Sequence, residues 1–228
     1  MSISDNIKKV MDRIAWAAQH AGRDPSSIKL VAVTKTVDIE RIREAVTAGA
    51  EVLGENRVQE AKEKIEKLGP IASWHLIGRL QSNKAKYAVK LFDLIHSIDS
   101  FELAQEVDIQ AAKIGKIQDV LVEVNISGEA SKVGIAAVDA ANLIRKAAVL
   151  PNISIKGLMT IPSFFDNAEE ARPYFKKLRD LSERIKSEKM PRVSMRELSM
   201  GMSGDFEVAV EEGSTMVRVG TAIFGARN

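Results

Sequence analysis

Short runs of apolar residues alternate with longer amphipathic segments along most of the chain. Eight such runs predict strands, at residues 29–36, 50–55, 74–78, 94–98, 119–125, 155–161, 197–200 and 215–224. Several of these runs are almost continuously apolar, which is typical of strands that are buried on both faces of a parallel sheet. The pattern therefore indicates a fold of the α/β class.

The segments between the strands repeat their apolar residues at helical spacing. Helices are predicted at residues 39–48, 58–68, 101–114, 136–150 and 168–189, and a further helix precedes the first strand. Eight strands with crossover-length connections predict a (β/α)8 TIM barrel with an extra N-terminal helix. A doubly wound open sheet is the alternative, and the count of eight favours the barrel. Because no Pro/Gly/Ser-rich linker interrupts the sequence, we expect a single domain over residues 1–228.

Composition narrows the classes of function. The chain has 33 basic and 31 acidic residues, a formal net charge of +2, so neither nucleic acid nor an anionic membrane is an expected partner. It has no cysteine and 3 scattered histidines, which argues against disulfides, thiolate nucleophiles and a classical zinc site. No secretory leader and no apolar run of roughly 20 residues is found, so we expect a soluble, cytoplasmic protein.

Functional groups of a TIM barrel lie where the strands end and in the loops that follow them. Lys35 closes the first predicted strand, within Val33-Thr34-Lys35-Thr36. A lysine amine at a barrel mouth is partly withdrawn from water and can act as a nucleophile toward carbonyl groups. The alternative is a lysine that only extends its ammonium into solvent, which is the usual situation of this side chain.

Two glycine-containing segments follow the last two strands, where TIM barrels frequently bind phosphate. Ser203 and Gly204 lie in the first segment, and Gly220 and Thr221 lie in the second. Glycine allows the backbone to approach a ligand closely, and Ser203 is predicted to lie at the start of a short helix whose N–H groups could receive a phosphate. Ordinary turns are the alternative explanation for both segments.

Arg218 lies between two valines in the last strand, where an unpaired buried charge would be costly. Its partner could be a protein carboxylate or the ring nitrogen of a ligand. A reactive lysine, a phosphate cradle and this arginine together suggest a phosphorylated aldehyde, and pyridoxal 5'-phosphate has an aldehyde, a phosphate and a pyridine nitrogen. Two further polar residues lie at strands two and three. Asn56 either orients a ligand or caps the next helix, whereas His75 is more typical of a core or wall residue.

Several motifs are similar to those of one known family. They are LVAVTKT, GENRVQE, WHLIGRLQSNK, HSIDS, GLMTIP and LSMGMSGDFEVAVEEGSTMVRVGTAIFG. On these motifs the chain resembles, over nearly its whole length, the pyridoxal phosphate homeostasis proteins, which are themselves similar to the barrel domain of bacterial alanine racemases.

The resemblance implies a role for each candidate residue. Lys35 would hold pyridoxal 5'-phosphate as an aldimine, and Arg218 would face the pyridine nitrogen. The phosphate would be bound by Ser203, Gly204, Gly220 and Thr221, and the pocket would also be lined by Asn56, His75 and Met200; Lys132 would be an accessory basic residue. The family association implies a protein that carries or buffers the cofactor in vitamin B6 and amino-acid homeostasis, with apo-enzymes that use pyridoxal phosphate as partners and with no established catalytic activity.

The expectation of a non-catalytic protein also has a physical basis. An arginine at the ring nitrogen disfavours protonation of that nitrogen, because two positive charges would face each other. Alanine racemases take an acid/base tyrosine from a second domain, whereas Tyr87 and Tyr174 are predicted in helices and the chain ends at Asn228. We therefore expect a monomeric carrier. The alternatives are a low-activity amino-acid racemase or related enzyme, and a barrel that binds another phosphate without covalent attachment.

Overall fold

The computed structural model describes residues 2–129 and 132–225, and its centre is a closed barrel of eight parallel strands. These strands are β1 (Lys29–Val33), β2 (Val52–Glu55), β3 (Ser73–Leu76), β4 (Leu94–Ile98), β5 (Gln118–Asn125), β7 (Ile153–Met159), β8 (Val193–Ser199) and β9 (Met216–Val219). Their order is β4-β3-β2-β1-β9-β8-β7-β5, and pairing of β4 with β5 closes the barrel. A two-residue strand, β6 (Ile135–Ala136), pairs with the end of β5. The predicted TIM barrel is confirmed.

Nine helices surround the barrel within the described ranges. They are α1 (Ile3–His20), α2 (Ile39–Thr47), α3 (Val58–Leu68), α4 (Ala85–Leu91), α5 (Phe101–Ala112), α6 (Ala137–Ala147), α7 (Arg172–Ser187), α8 (Phe206–Glu211) and α9 (Thr221–Phe224). The predicted N-terminal helix is α1, which packs against α2, α8 and α9. Because α8 and α9 are short, α1 supplies an apolar face where the outer ring of helices is thinnest. None of the helices in residues 2–129 and 132–225 combines the length and apolarity that a bilayer crossing requires.

Seven of the eight barrel strands differ from the prediction at one or both ends, and two of these differences shape the cavity described below. The first strand is shorter than predicted, because the chain enters a turn after Val33 and Thr36 adopts a φ of 61°. The last strand is also shorter, because β9 ends at Val219 and α9 begins at Thr221. An apolar run cannot distinguish a strand from the short helix that continues it, since both bury the same side chains.

The core has two parts. The larger part lies between the strands and the helices and includes Ile14, Leu53 and Phe175. The smaller part contains Val31, Ile77, Leu94, Leu121, Met159 and Met216, which come from six different places around the barrel. This second cluster fills the barrel interior, so the barrel is packed below its mouth and a ligand site must lie above the cluster.

Candidate functional site

A cavity of about 410 Å³ lies where the strands end. Seven of the nine residues predicted for the site line it: Lys35, Asn56, Ser203, Gly204, Arg218, Gly220 and Thr221. These residues follow β1, β2 and β8 or belong to β9 and its continuation. Closure of the barrel brings the first strands beside the last ones, and the predicted residues therefore meet in one space.

Arg218 forms part of the cavity wall from within β9, and only 3% of its surface is exposed. Its guanidinium donates to the Ser199 hydroxyl at 2.6 Å and to the Thr160 carbonyl at 2.8 Å. No carboxylate within the described ranges forms a salt bridge with it. Burial lowers the pKa of Arg218 to about 10, although Glu123 and Asp205 oppose this effect. The arginine is therefore still a cation at neutral pH, and it has no salt-bridge partner in the part of the chain that the structure describes.

A buried chain of hydrogen bonds continues from Arg218 into the barrel. Ser199 Oγ lies 3.0 Å from His96 Nδ1, and His96 Nε2 lies 3.0 Å from His75 Nδ1. Burial lowers the pKa of His75 to about 4 and the pKa of His96 well below its ordinary value, so both rings are neutral. The Ser199 hydroxyl oxygen accepts a hydrogen bond from Arg218, so the hydroxyl proton is available for donation to His96. His96 in turn donates the proton of its other ring nitrogen to His75.

Ser203 lies across from the backbone that follows β9. Its hydroxyl oxygen accepts hydrogen bonds from the N–H groups of Gly220 at 3.3 Å and Ala222 at 3.4 Å. The expectation that Ser203 starts a helix is wrong, because α8 begins at Phe206; the N–H groups near the hydroxyl belong to the N-terminus of α9 instead. A Cβ atom on Gly220 would come within 3.3 Å of Val33, so glycine permits the end of β9 to lie close to the end of β1.

The other predicted residues divide into two groups. Asn56 lines the cavity, and the N-cap of α3 is Arg57, so the structure does not support the capping alternative for Asn56. His75 and Met200 are buried. These two residues and Lys132 are not among the residues that line the cavity. Ligand contact by His75, Met200 and Lys132 stays a prediction.

The segment after β7 supplies a part of the wall that the sequence analysis missed. The residues involved are Ile161, Ser163, Phe164, Phe165, Ala168 and Ala171. Phe164 is 84% exposed at the rim, and Ser163 donates a hydrogen bond to Glu129 of the neighbouring loop. Phe164 and Phe165, which follow the GLMTIP motif after one serine, are a signal that could have been used, because they follow a barrel strand. Asp205, another missed lining residue, accepts a hydrogen bond from the Met202 N–H at 2.6 Å.

The donor set fits pyridoxal phosphate on the chemistry of its side chains. A primary amine, that of Lys35, reaches the same cavity as a buried guanidinium with no ionic partner. On the same wall, backbone N–H groups converge on the Ser203 hydroxyl, and such groups can also donate to the oxygens of an anionic ester. The cavity therefore presents one partner for an aldehyde, one for a ring nitrogen and one for a phosphate.

Comparison with known proteins establishes the family. The family model described as the alanine racemase N-terminal domain matches residues 6–228. The pyridoxal phosphate homeostasis protein of Aquifex aeolicus is 46% identical over 228 residues, which cover 100% of this chain and 99% of that protein. The chain belongs to the pyridoxal phosphate homeostasis protein family. Another member, from Vibrio alginolyticus, is 41% identical and also covers 100% of the chain and 98% of its own length.

Solved structures agree with this assignment. PipY of Synechococcus elongatus, with PLP bound, superposes with a TM-score of 0.85 at 35% identity, covering 98% of this chain and 100% of PipY. An unknown protein from Bifidobacterium adolescentis superposes with a TM-score of 0.92 at 42% identity, covering 97% and 94% of the two chains. An alanine racemase of Clostridium difficile shares the fold alone, with a TM-score of 0.73 at 17% identity, and this chain spans 57% of its length. The resemblance of the pyridoxal phosphate homeostasis family to the racemase barrel is thus confirmed.

Proposed function

We propose that this member of the pyridoxal phosphate homeostasis family binds pyridoxal 5'-phosphate covalently through Lys35 and carries or buffers it, without turning over a substrate. One observation carries the proposal: Lys35, Arg218 and the Ser203–Gly220 contact share one cavity. The relative PipY, which is 35% identical over almost the whole chain, was crystallised with PLP bound.

The chemistry needs only groups that are present. Pyridoxal phosphate supplies an aldehyde, which condenses with a primary amine. Lys35 Nζ would form a C=N bond to the aldehyde carbon, while the aldehyde oxygen leaves as water, so no oxidant or reductant is required. Arg218 would donate one of its remaining N–H groups to the ring nitrogen, and Ser203, Gly204, Gly220 and Thr221 would hold the phosphate.

The surroundings of the cavity support a carrier rather than a catalyst. The Arg218 cation opposes protonation of the ring nitrogen, which weakens the ring as an electron sink. Tyr174 stacks on Phe165 with ring centroids 5.6 Å apart, and Tyr87 is 40% exposed on α4; neither residue lines the cavity. A racemase would need a second proton-transfer group at the cavity, and neither tyrosine is in place to act as one.

Replacement of Lys35 tests the covalent attachment. Purified protein mixed with pyridoxal phosphate should develop a visible absorbance band, and borohydride should fix the cofactor mass onto the chain. Lys35→Ala should lose both signals, because Lys35 is the one lysine among the described residues that line the cavity. The control Lys90→Ala removes an exposed lysine of α4 and should retain both. Retention of both signals in Lys35→Ala would refute the proposal.

The same two proteins test the absence of catalysis. Hydrogen exchange with deuterated water at the α-carbon of several amino acids should be no faster with the protein than with free cofactor. Exchange that is fast and depends on Lys35 would instead support the racemase alternative. We further propose that the protein is a cytoplasmic monomer that gives its cofactor to apo-enzymes. Sedimentation would check the monomeric state, and a cofactor-transfer assay would check delivery to an apo-enzyme.

A further inference from the structure

Lys64 of α3 is a buried lysine outside the cavity, and its hydrogen bonds to described residues all go to groups around the Lys35 turn. Its side chain is 9% exposed. Its ammonium donates to Glu55 Oε1 and to Glu60 Oε1, both at 2.7 Å, and to the carbonyl of Thr34 at 2.6 Å. These three bonds use every N–H of the ammonium group. The lysine is therefore fixed in place and has no donor left for solvent.

This cluster holds the residues on both sides of Lys35. Before Lys35, the carbonyl oxygen of Thr34 accepts a hydrogen bond from Lys64, and the hydroxyl of Thr34 donates one to Glu55 at 2.6 Å. After Lys35, the N–H of Thr36 donates to Glu60 Oε1 at 2.6 Å. Lys64 and the two carboxylates thus connect β1, β2 and α3 at the single turn that presents the amine.

The turn has a conformation that it would not adopt by itself. Thr36 has a φ of 61°, in the left-handed region. A β-branched residue is rarely found there, because its side chain clashes with the backbone. Such a conformation persists only where the surroundings enforce it. The hydrogen bond from the Val37 N–H to the Thr34 carbonyl, at 2.9 Å, closes the turn from within, and the Thr36 to Glu60 hydrogen bond restrains it from α3.

We propose that Lys64 and Glu60 are positioning residues for Lys35: together they fix the strained turn, so that the amine faces the cavity in the orientation that attack on an aldehyde needs. This inference rests on the proposed function, because it concerns the rate at which Lys35 captures the cofactor. Reacting atoms must approach closely in the correct orientation, and a small displacement of the backbone can slow such a step greatly.

The same helix offers a matched control. Lys62 and Glu66 form a second pair on α3 with the same spacing of four residues, at 3.7 Å, but their side chains are 55% and 63% exposed. Exposed pairs of this kind contribute little to stability. Glu66→Ala therefore removes an equivalent helical ion pair without touching the Lys35 turn.

The experiment compares Glu60→Ala with Glu66→Ala at saturating and limiting pyridoxal phosphate. Glu60 is preferred to Lys64 for the test because its side chain is 26% exposed and because Lys64 still has Glu55 as an ionic partner when Glu60 is removed. The rate constant for covalent capture is measured by borohydride quenching at timed intervals, and folding is checked by urea unfolding. We expect capture by Glu60→Ala to be about tenfold slower than by the wild type, with Glu66→Ala unchanged. Glu60→Gln keeps an oxygen acceptor for Thr36 and should recover part of the rate.

The outcomes separate the two proposals. If the wild type and Glu66→Ala capture no cofactor, the proposed function fails. If both capture it through Lys35 and folded Glu60→Ala captures it equally fast, the positioning inference fails. Should Glu60→Ala not fold, Glu60→Gln decides the matter, because a rate equal to that of the wild type would show that the charge of Glu60 and its pair with Lys64 are dispensable. A structural role alone would lower the urea midpoint without changing the capture rate of the folded protein.

Discussion

The two sides of the cavity hold their cations in different ways. Beside Lys35, the buried Lys64 is neutralised by two carboxylate groups at 2.7 Å. On the other side, the hydrogen bonds of the buried Arg218 to described residues go to a hydroxyl and a carbonyl group. A buried charge normally requires a counter-charge, because the cost of removing it from water is large. The chain supplies that counter-charge for Lys64, whereas no carboxylate among the described residues forms a salt bridge with Arg218 at the cavity wall.

The hydrogen-bonded groups around the two cations also differ in charge. Lys64 lies within an ionic cluster whose geometry is fixed by charge, whereas Arg218 begins a chain of neutral groups that runs through Ser199 and His96 to His75. The ionic cluster fixes a backbone turn. The neutral chain holds a side chain without cancelling its charge, so that the arginine is oriented and still electrostatically available to the cavity.

The largest expected effect concerns the ionic side. Lys64→Met should lower the free energy of unfolding by about 3–5 kcal/mol, because Glu55 and Glu60 would lose the cation that balances them. Urea unfolding of the protein without cofactor measures this change. Lys62→Met, at an exposed position of the same helix, is the control and should be close to the wild type. A small effect of Lys64→Met would show that the ion pairs of Lys64 contribute little to stability.

A smaller loss of stability is expected on the other side. Arg218→Met should cost about 1–3 kcal/mol, because Thr160 and Ser199 lose a donor while the penalty for burying a charge is also removed. Affinity for pyridoxal phosphate should fall at the same time by more than tenfold, an effect of over about 1.4 kcal/mol. Urea unfolding and cofactor titration measure the two quantities. If Arg218→Met proved as destabilising as Lys64→Met, the contrast between the two sides would be wrong.

Acid should act on the neutral chain, with an effect on stability of at most about 2 kcal/mol at pH 5. The pKa of His75 is lowered from 6.5 to about 4, so the unfolded chain binds a proton that the folded chain excludes. The contribution of His75 to stability should therefore be constant above pH 6.5 and decrease as the pH falls from 6.5 toward 4, by at most about 1.4 kcal/mol per pH unit. Asp93 and Glu197 moderate the shift, whereas Lys29 adds to it.

The variant His75→Gln isolates this contribution, since glutamine donates and accepts hydrogen bonds without titrating in this range. Unfolding free energies at pH 7.5 and pH 5 should differ less in the variant than in the wild type. An unchanged difference would mean that His75 is not the group whose protonation is excluded by the fold.

Much of the architecture and part of the site followed from local patterns in the sequence. Apolar runs located all eight barrel strands, and α3 was predicted with its observed bounds at 58–68. Lys35 and Arg218 were found because each is a charged residue at or near the end of an apolar strand, and the ends of barrel strands meet at one mouth. Both inferences depend only on the order of neighbouring residues, which the sequence contains directly.

The tertiary structure alone decided which polar residues pair in the interior. Lys64 donates to a residue 30 positions away, and in the sequence it resembles its exposed neighbour Lys62. His96 and Ser199 are 103 positions apart, and the segment after β7 became a cavity wall only when the barrel closed. Burial and hydrogen bonding are properties of the assembled barrel, because desolvation depends on every neighbour that packing brings close. The sequence therefore determined the strands and the positions of Lys35 and Arg218 at the barrel mouth, and the packed barrel determined how each of those positions is held.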